Sequence, residues 1–176
     1  MIITFLRHAE TEFNSKELFC GTSDCDITDK GKLLSENLRN QFSSFNFYYC
    51  SPLKRTWQTL NAIFPNADFI VDDRIIEIHL GTWEGISKTS VNQELRSEFK
   101  KGNFVPIGAE SHESVENRVI SFLKSMSNIY AEDDKILVVT HNGFLRTTAN
   151  LLGIEPISKN LEYFTIDSKD YINIFN

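Results

Sequence analysis

The chain has 176 residues, 41% of them hydrophobic, and a net charge of −6 at neutral pH. That length suits one globular domain spanning residues 1–176, with a core that buries about two thirds of the unfolded chain's surface. The acidic balance excludes the basic face of a nucleic-acid-binding protein, no apolar run approaches the ~20 residues of a membrane helix, and Cys20, Cys25 and Cys50 have neither the number nor the spacing of a disulfide framework or zinc site.

The opening Met-Ile-Ile-Thr-Phe-Leu-Arg-His lacks the basic start, long apolar centre and small-residue cleavage site of a signal peptide, so a cytoplasmic location is expected. Residues 2–6 are continuously apolar or β-branched, the pattern of a strand covered on both faces. After a polar loop, Thr28 is the expected N-cap of a helix that buries Leu34, Leu38 and Phe42. An aromatic strand then runs up to Cys50, and Ser51-Pro52 has the form of an N-cap followed by an N1 proline, which predicts a helix through Trp57, Leu60 and Phe64.

A short strand is expected over Phe69 to Val71, followed by Ile-Ile-Glu-Ile-His-Leu-Gly-Thr-Trp-Glu-Gly, whose two glycines imply a tight loop. Residues 87–113 combine a weak helical pattern with a polar stretch and are the expected lid over a site. A long amphipathic helix follows from about Ser114, with Val115, Val119, Phe122, Leu123, Met126 and Ile129 on its apolar stripe. Lys-Ile-Leu-Val-Val-Thr-His repeats the opening device: an apolar strand ending in a histidine, then Asn142-Gly143 and a helix containing Leu145, Ala149 and Leu152. The tail alternates around Ser168-Lys169-Asp170 and is expected to form a terminal hairpin, which offers a patch on which two copies could pair as a homodimer. Strands alternating with helices predict an α/β fold, a mostly parallel sheet with helices on both faces.

In open α/β sheets, ligands gather outside the carboxyl ends of the strands. That rule groups Arg7 and His8, Ser51 and Arg55, Glu77, and His141 around one crevice. Arginine forks suit a phosphoryl group because they donate parallel charge-assisted hydrogen bonds at any working pH. A histidine ring nitrogen can attack phosphorus, a second histidine can stabilise the equatorial oxygens, and a carboxyl group can protonate the leaving oxygen.

These residues lie in motifs. Arg7-His8-Ala9-Glu10-Thr11 with Asn14 is followed by Cys20-Gly21, then Ile27-Thr28-Asp29-Lys30-Gly31, then Ser51, Leu53, Arg55, Gln58 and Thr59. Glu77, Gly81, Trp83, Glu84 and Gly85 come next, then Gly108-Ala109-Glu110-Ser111, and finally Thr140-His141-Asn142-Gly143 with Arg146. In this order they resemble the histidine phosphatase superfamily, in its phosphoglycerate-mutase-like branch. The resemblance implies a three-layer α/β/α sandwich in which His8 is the nucleophile, Arg7, Arg55 and His141 form the phosphate pocket, and Glu77 is the proton donor. It further implies substrate contacts from Asn14, Cys20, Gly21 and Asn142, no metal and no cofactor. The partner it implies is a small phosphorylated metabolite.

Two positions depart from the family pattern. Ala9 stands for a glycine, which would strain the chain if φ there were positive, and Asn142 stands for another. Glu84 and Glu10 are competing acids for the role of Glu77, while His79 and His112 are expected to be polar surface or loop residues rather than ligands and Trp83 a packing anchor. Hydrolysis is favoured over mutase chemistry because only 25 residues separate Gly85 from Ser111, which leaves little material for a water-excluding cover. A protein phosphatase and a non-catalytic phosphate-binding module are the remaining alternatives. Substrate selectivity is expected to lie in residues 86–112 and 15–27.

Overall fold

The computed structural model describes residues 1–171. Among them, strands β1 (Ile2–Arg7), β2 (Phe47–Cys50), β3 (Ile70–Val71), β4 (Lys135–Thr140) and β5 (Tyr163–Asp167) form one sheet in the order β3-β2-β4-β1-β5. Neighbours run parallel except at one edge, where β5 pairs antiparallel with β1. The helices are α1 (Glu12–Ser15), α2 (Asp29–Leu38), α3 (Lys54–Ile63), α4 (Gln93–Lys101), α5 (His112–Ile129) and α6 (Asn142–Leu152).

Successive side chains of a strand point to opposite faces, so the two continuous apolar runs supply two cores. Ile3, Phe5, Ile136 and Val138 pack with Val119, Phe122 and Leu123 of α5 and with Phe144 and Leu145 of α6. Leu6, Cys50, Leu137 and Val139 pack on the other side with Leu38 of α2 and with Leu60 and Ile63 of α3. The result is the expected α/β/α sandwich. Side-chain caps fix two helix starts: Thr28 accepts the Gly31 N–H and Ser111 accepts the Ser114 N–H.

The structure departs from the sequence pattern in several places. Ser51 is not an N-cap: Leu53 (φ −75°, ψ 129°) occupies that position and α3 begins at Lys54. The Ser51 hydroxyl instead accepts the Leu53 N–H at 3.3 Å and meets the ring of His141. Leu34 on α2 and Ile129 at the end of α5 are 46% and 62% exposed, because each sits at the margin of its helix's apolar stripe. The strand expected from Phe69 covers only Ile70–Val71, and α5 starts at His112, two residues before the expected Ser114. Of the terminal hairpin, β5 and a 3-10 turn at Ser168–Asp170 are present, while its second arm falls outside the described residues.

One register positions the site. β1 and β4 are paired in parallel with Arg7 opposite Thr140, so the residues after each strand, His8 and His141, emerge side by side. Phe122 is fully buried beneath this pair of strands, with its ring against Phe5, Tyr49 and Phe144. Phe122→Ala is expected to cost about 3–5 kcal/mol, read as a lower midpoint in urea or thermal unfolding.

Candidate active site

The chain leaves β1 without breaking the ladder: the His8 N–H donates to the Thr140 carbonyl at 3.0 Å. The rings of His8 and His141 lie 5.1 Å apart between centroids. Nδ1 of His8 is 2.7 Å from the Ala9 carbonyl. A carbonyl only accepts, so Nδ1 carries the proton and Nε2 keeps its lone pair. Burial, then the cations Arg55 and Arg7, hold the His8 pKa well below 6.5, which keeps the ring neutral at neutral pH.

His141 is buried and is likewise held neutral by burial and the Arg55 charge. Its Nδ1 accepts from Arg55 Nε at 3.2 Å, so Nε2 carries the hydrogen and donates to the Ser51 hydroxyl at 2.7 Å. Arg55, inside α3 and fully buried, donates its other nitrogens to the Ser23 carbonyl at 2.9 Å and the Gly21 carbonyl at 2.7 Å. One guanidinium thus joins α3, His141 and the 20–23 loop. Arg7 donates to the Ser158 carbonyl, and its Nε is buried with no hydrogen-bond partner among the described residues. Burial lowers its pKa from the ordinary arginine value, opposed by the charge of Glu77.

Glu77 completes the group. Its Oε1 accepts the N–H groups of Ile78 and Gly143, both at 2.9 Å, so the N-terminus of α6 fixes one carboxylate oxygen and leaves Oε2 to the cleft. A Cβ on Gly143 would lie 2.4 Å from Glu77 Oε1 and 2.6 Å from the Ile78 side chain, so glycine is required there by close approach. Arg7, His8, Arg55 and Glu77 line a cleft of about 530 Å³, with His141 behind them against His8.

Residues 3–168 match the sequence profile of the histidine phosphatase superfamily (branch 1). The chain belongs to this superfamily. It is 32% identical to phosphoserine phosphatase 1 of Hydrogenobacter thermophilus, covering 87% of this chain and 77% of that protein. It is 29% identical to a 2,3-bisphosphoglycerate-dependent phosphoglycerate mutase of Cytophaga hutchinsonii, covering 89% and 78%. The fold matches the crystal structure of TTHB049 from Thermus thermophilus with a TM-score of 0.82 at 23% identity, over 95% of this chain and 94% of that one. At that identity the likeness concerns the fold.

Other sequence-derived positions of this histidine phosphatase superfamily member find definite places. Asn14 lines the cleft, but its Oδ1 is engaged by the Thr11 N–H and by Asn160. Cys20 and Gly21 also line it, although the Gly21 carbonyl is taken by Arg55. Gly21 has φ +53°, and a Cβ there would lie 2.2 Å from Glu84. Asn142 opens α6 at the cleft wall with its Oδ1 buried and unpartnered among the described residues. Neither Ala9 nor Asn142 has positive φ, so neither replacement strains the backbone. The Ala9 methyl faces Gly31, where a Cβ would be only 3.3 Å from it.

The competing acids are committed elsewhere. Glu84 accepts from the backbone and hydroxyls of Thr22 and Ser23 and from the Leu80 N–H; burial pushes its pKa up, but these bonds outweigh it and hold the carboxylate ionised. Glu10 is bonded to Thr28 and Lys30. Trp83 is the expected anchor, stacked among Phe19, Phe99 and Phe104, and His79 and His112 meet the Gly108 carbonyl and the Phe99 ring.

Two features carry no motif. Lys88, Arg96 and Lys100, from α4 and the segment before it, and Arg146 from α6 face the cleft, where Glu77 is the carboxylate among the lining residues. Asn160 donates to the carbonyls of His8 and Ala9 at 2.9 and 3.1 Å and to Asn14. It precedes Leu161, a non-glycine residue at φ +62°. That conformation costs on the order of 1–2 kcal/mol, and hydrogen bonds between Leu161 or Glu162 and the Arg7 backbone hold it in place. Gly143→Ala should displace Glu77 or Ile78, costing about 1–3 kcal/mol by overpacking. The expected result is a lower melting temperature together with loss of any Glu77-dependent turnover.

Proposed function

We propose that the chain hydrolyses small phosphomonoesters through a phosphohistidine on His8, without a metal or organic cofactor. The observation that carries this is the Nδ1 bond of His8 to the Ala9 carbonyl, which leaves Nε2 as a neutral, oriented nucleophile at the cleft. In this mechanism Nε2 attacks phosphorus as the ester oxygen departs in line. Arg7, whose Nε lacks a partner among the described residues, and Arg55 hold the phosphoryl oxygens; His141, beside His8, can turn its Nε2–H from the Ser51 hydroxyl to an equatorial oxygen. Glu77, entering the first half-reaction in its protonated form, donates from Oε2 to the leaving oxygen, and the resulting carboxylate takes a proton from the water that attacks the phosphohistidine, which restores the acid.

The distal cations shape the substrate. Lys88, Arg96, Lys100 and Arg146 favour a phosphomonoester that carries a second acidic group, such as a carboxylate. This agrees with relatives named for phosphoserine and for bisphosphoglycerate-dependent mutase chemistry. Release of phosphate is favoured over its return to a second hydroxyl, since the cover over the cleft is the single short helix α4.

The wild-type chain should release phosphate from an aryl phosphate and from O-phosphoserine in the presence of chelator, and acid-labile phosphate should be trapped on His8 by rapid quench. His8→Ala should reduce release to background; a variant retaining most activity would overturn the mechanism, and isomerisation of a phosphoglycerate outpacing phosphate release would make the chain a mutase. Arg96→Ala combined with Lys100→Ala should raise KM about tenfold or more for acidic substrates, the loss of a charge-assisted hydrogen bond, and leave the neutral aryl group's KM nearly unchanged.

A further inference from the structure

Cys20 and Cys25 flank the loop that Arg55 holds, and their sulfurs are 3.4 Å apart as free thiols. Cys20 lines the cleft and also reaches the Ser23 carbonyl, while Cys25 is buried behind it. The surroundings treat the two sulfurs differently. The hydrogen bond from Cys20, outweighing burial, and further ones from the Thr11 hydroxyl and the Phe13 N–H hold the Cys25 thiol below its ordinary pKa. The same bond and burial push Cys20 up. The pair is therefore two sulfurs in contact at 3.4 Å, with donors around Cys25 that favour its thiolate and Cys20 placed to resolve it, the arrangement of an attacking and a resolving cysteine. Cys50, buried at the end of β2, has its thiol pushed up by burial and serves as the inert comparison.

We propose that Cys20 and Cys25 are a peroxide-sensitive modification site that closes reversibly to a disulfide and, resting on the phosphatase mechanism above, slows turnover. The Cys25 thiolate attacks one peroxide oxygen, the O–O bond breaks and hydroxide leaves, giving the sulfenic acid. The Cys20 sulfur then attacks the Cys25 sulfur; the S–O bond breaks and the departing hydroxide takes the Cys20 proton as water. Peroxide is reduced and two thiols are oxidised. Closing from 3.4 Å to the ~2.0 Å of a disulfide draws in the loop that carries the Gly21 and Ser23 carbonyls. Those are the two oxygens that hold the Arg55 guanidinium.

Trypsin leaves both sulfurs on one peptide, residues 17–30, because no lysine or arginine lies between Lys16 and Lys30. After treatment of the full chain with hydrogen peroxide, denaturation and alkylation, that peptide should be lighter by two hydrogens and unalkylated, while Cys50 is alkylated; dithiothreitol should reverse the change. Cys20 and Cys25 both alkylated, irreversibly oxygenated, or joined to Cys50 would overturn the site. This mass readout is independent of any phosphatase activity, so it distinguishes failure here from failure of the phosphatase mechanism. On an aryl phosphate, kcat/KM should fall several-fold on oxidation and recover with dithiothreitol, and Cys25→Ser should lose the peroxide response. A cross-linked form with undiminished turnover would overturn the link to the active site.

Discussion

The parallel pairing of β1 with β4 is the constraint on which the site depends. With Arg7 opposite Thr140, the next residue of each strand is a histidine, and the ladder continues one step further through the His8 N–H and the Thr140 carbonyl. A slip of one residue would turn the apolar residues of a strand to the wrong faces, separating Phe5 and Val138 from α5 and α6. The two hydrophobic cores that stabilise the sheet therefore also fix the distance between the two rings. The histidines need no flexible loop to meet, because the sheet itself sets their mutual position.

Around that pair, His8 and Glu77 are each oriented by a partner that leaves one edge free. Ala9's carbonyl occupies Nδ1 of His8, and the α6 N-terminus occupies one oxygen of Glu77. Arg55 is committed to carbonyls and to His141, so its part is as much to shape the 20–23 loop as to present a charge. The buried Nε of Arg7 is left unpartnered among the described residues, and an anion in the cleft would supply the acceptor it lacks.

Much of this is legible in the sequence because it is local or periodic. Continuous apolar runs ending in Arg7-His8 and in Thr140-His141 identify central strands and the edge at which they deliver chemistry, and Glu77 is placed by its run of glycines and Trp83. Ser51 departs from its pattern because Ser-Pro satisfies the composition of a helix start, yet its hydroxyl is worth more as a partner for a buried imidazole. Leu34 and Ile129 fit a helical period but lie beyond the width of the buried stripe. Asn160 has no signal in residue spacing: it reaches His8 across 152 positions, and only the folded path of β5 beside β1 brings it there.

The polar groups beside the histidine pair and the cations farther along the cleft belong to different parts of the chain. The former stand on β1, α3, β4 and their immediate ends; Lys88, Arg96 and Lys100 stand on a segment bounded by Gly85 and Gly102, both at positive φ. Phe99 docks that segment on Trp83, at the margin of the core that Phe5 and Val138 share with α5 and α6. On the proposed function, changes confined to residues 86–101 would alter three of the four cations beyond the phosphoryl site, Arg146 being the fourth, and leave the strands that set the histidine pair untouched. One scaffold could acquire successive ligand preferences at low mutational risk to its chemistry.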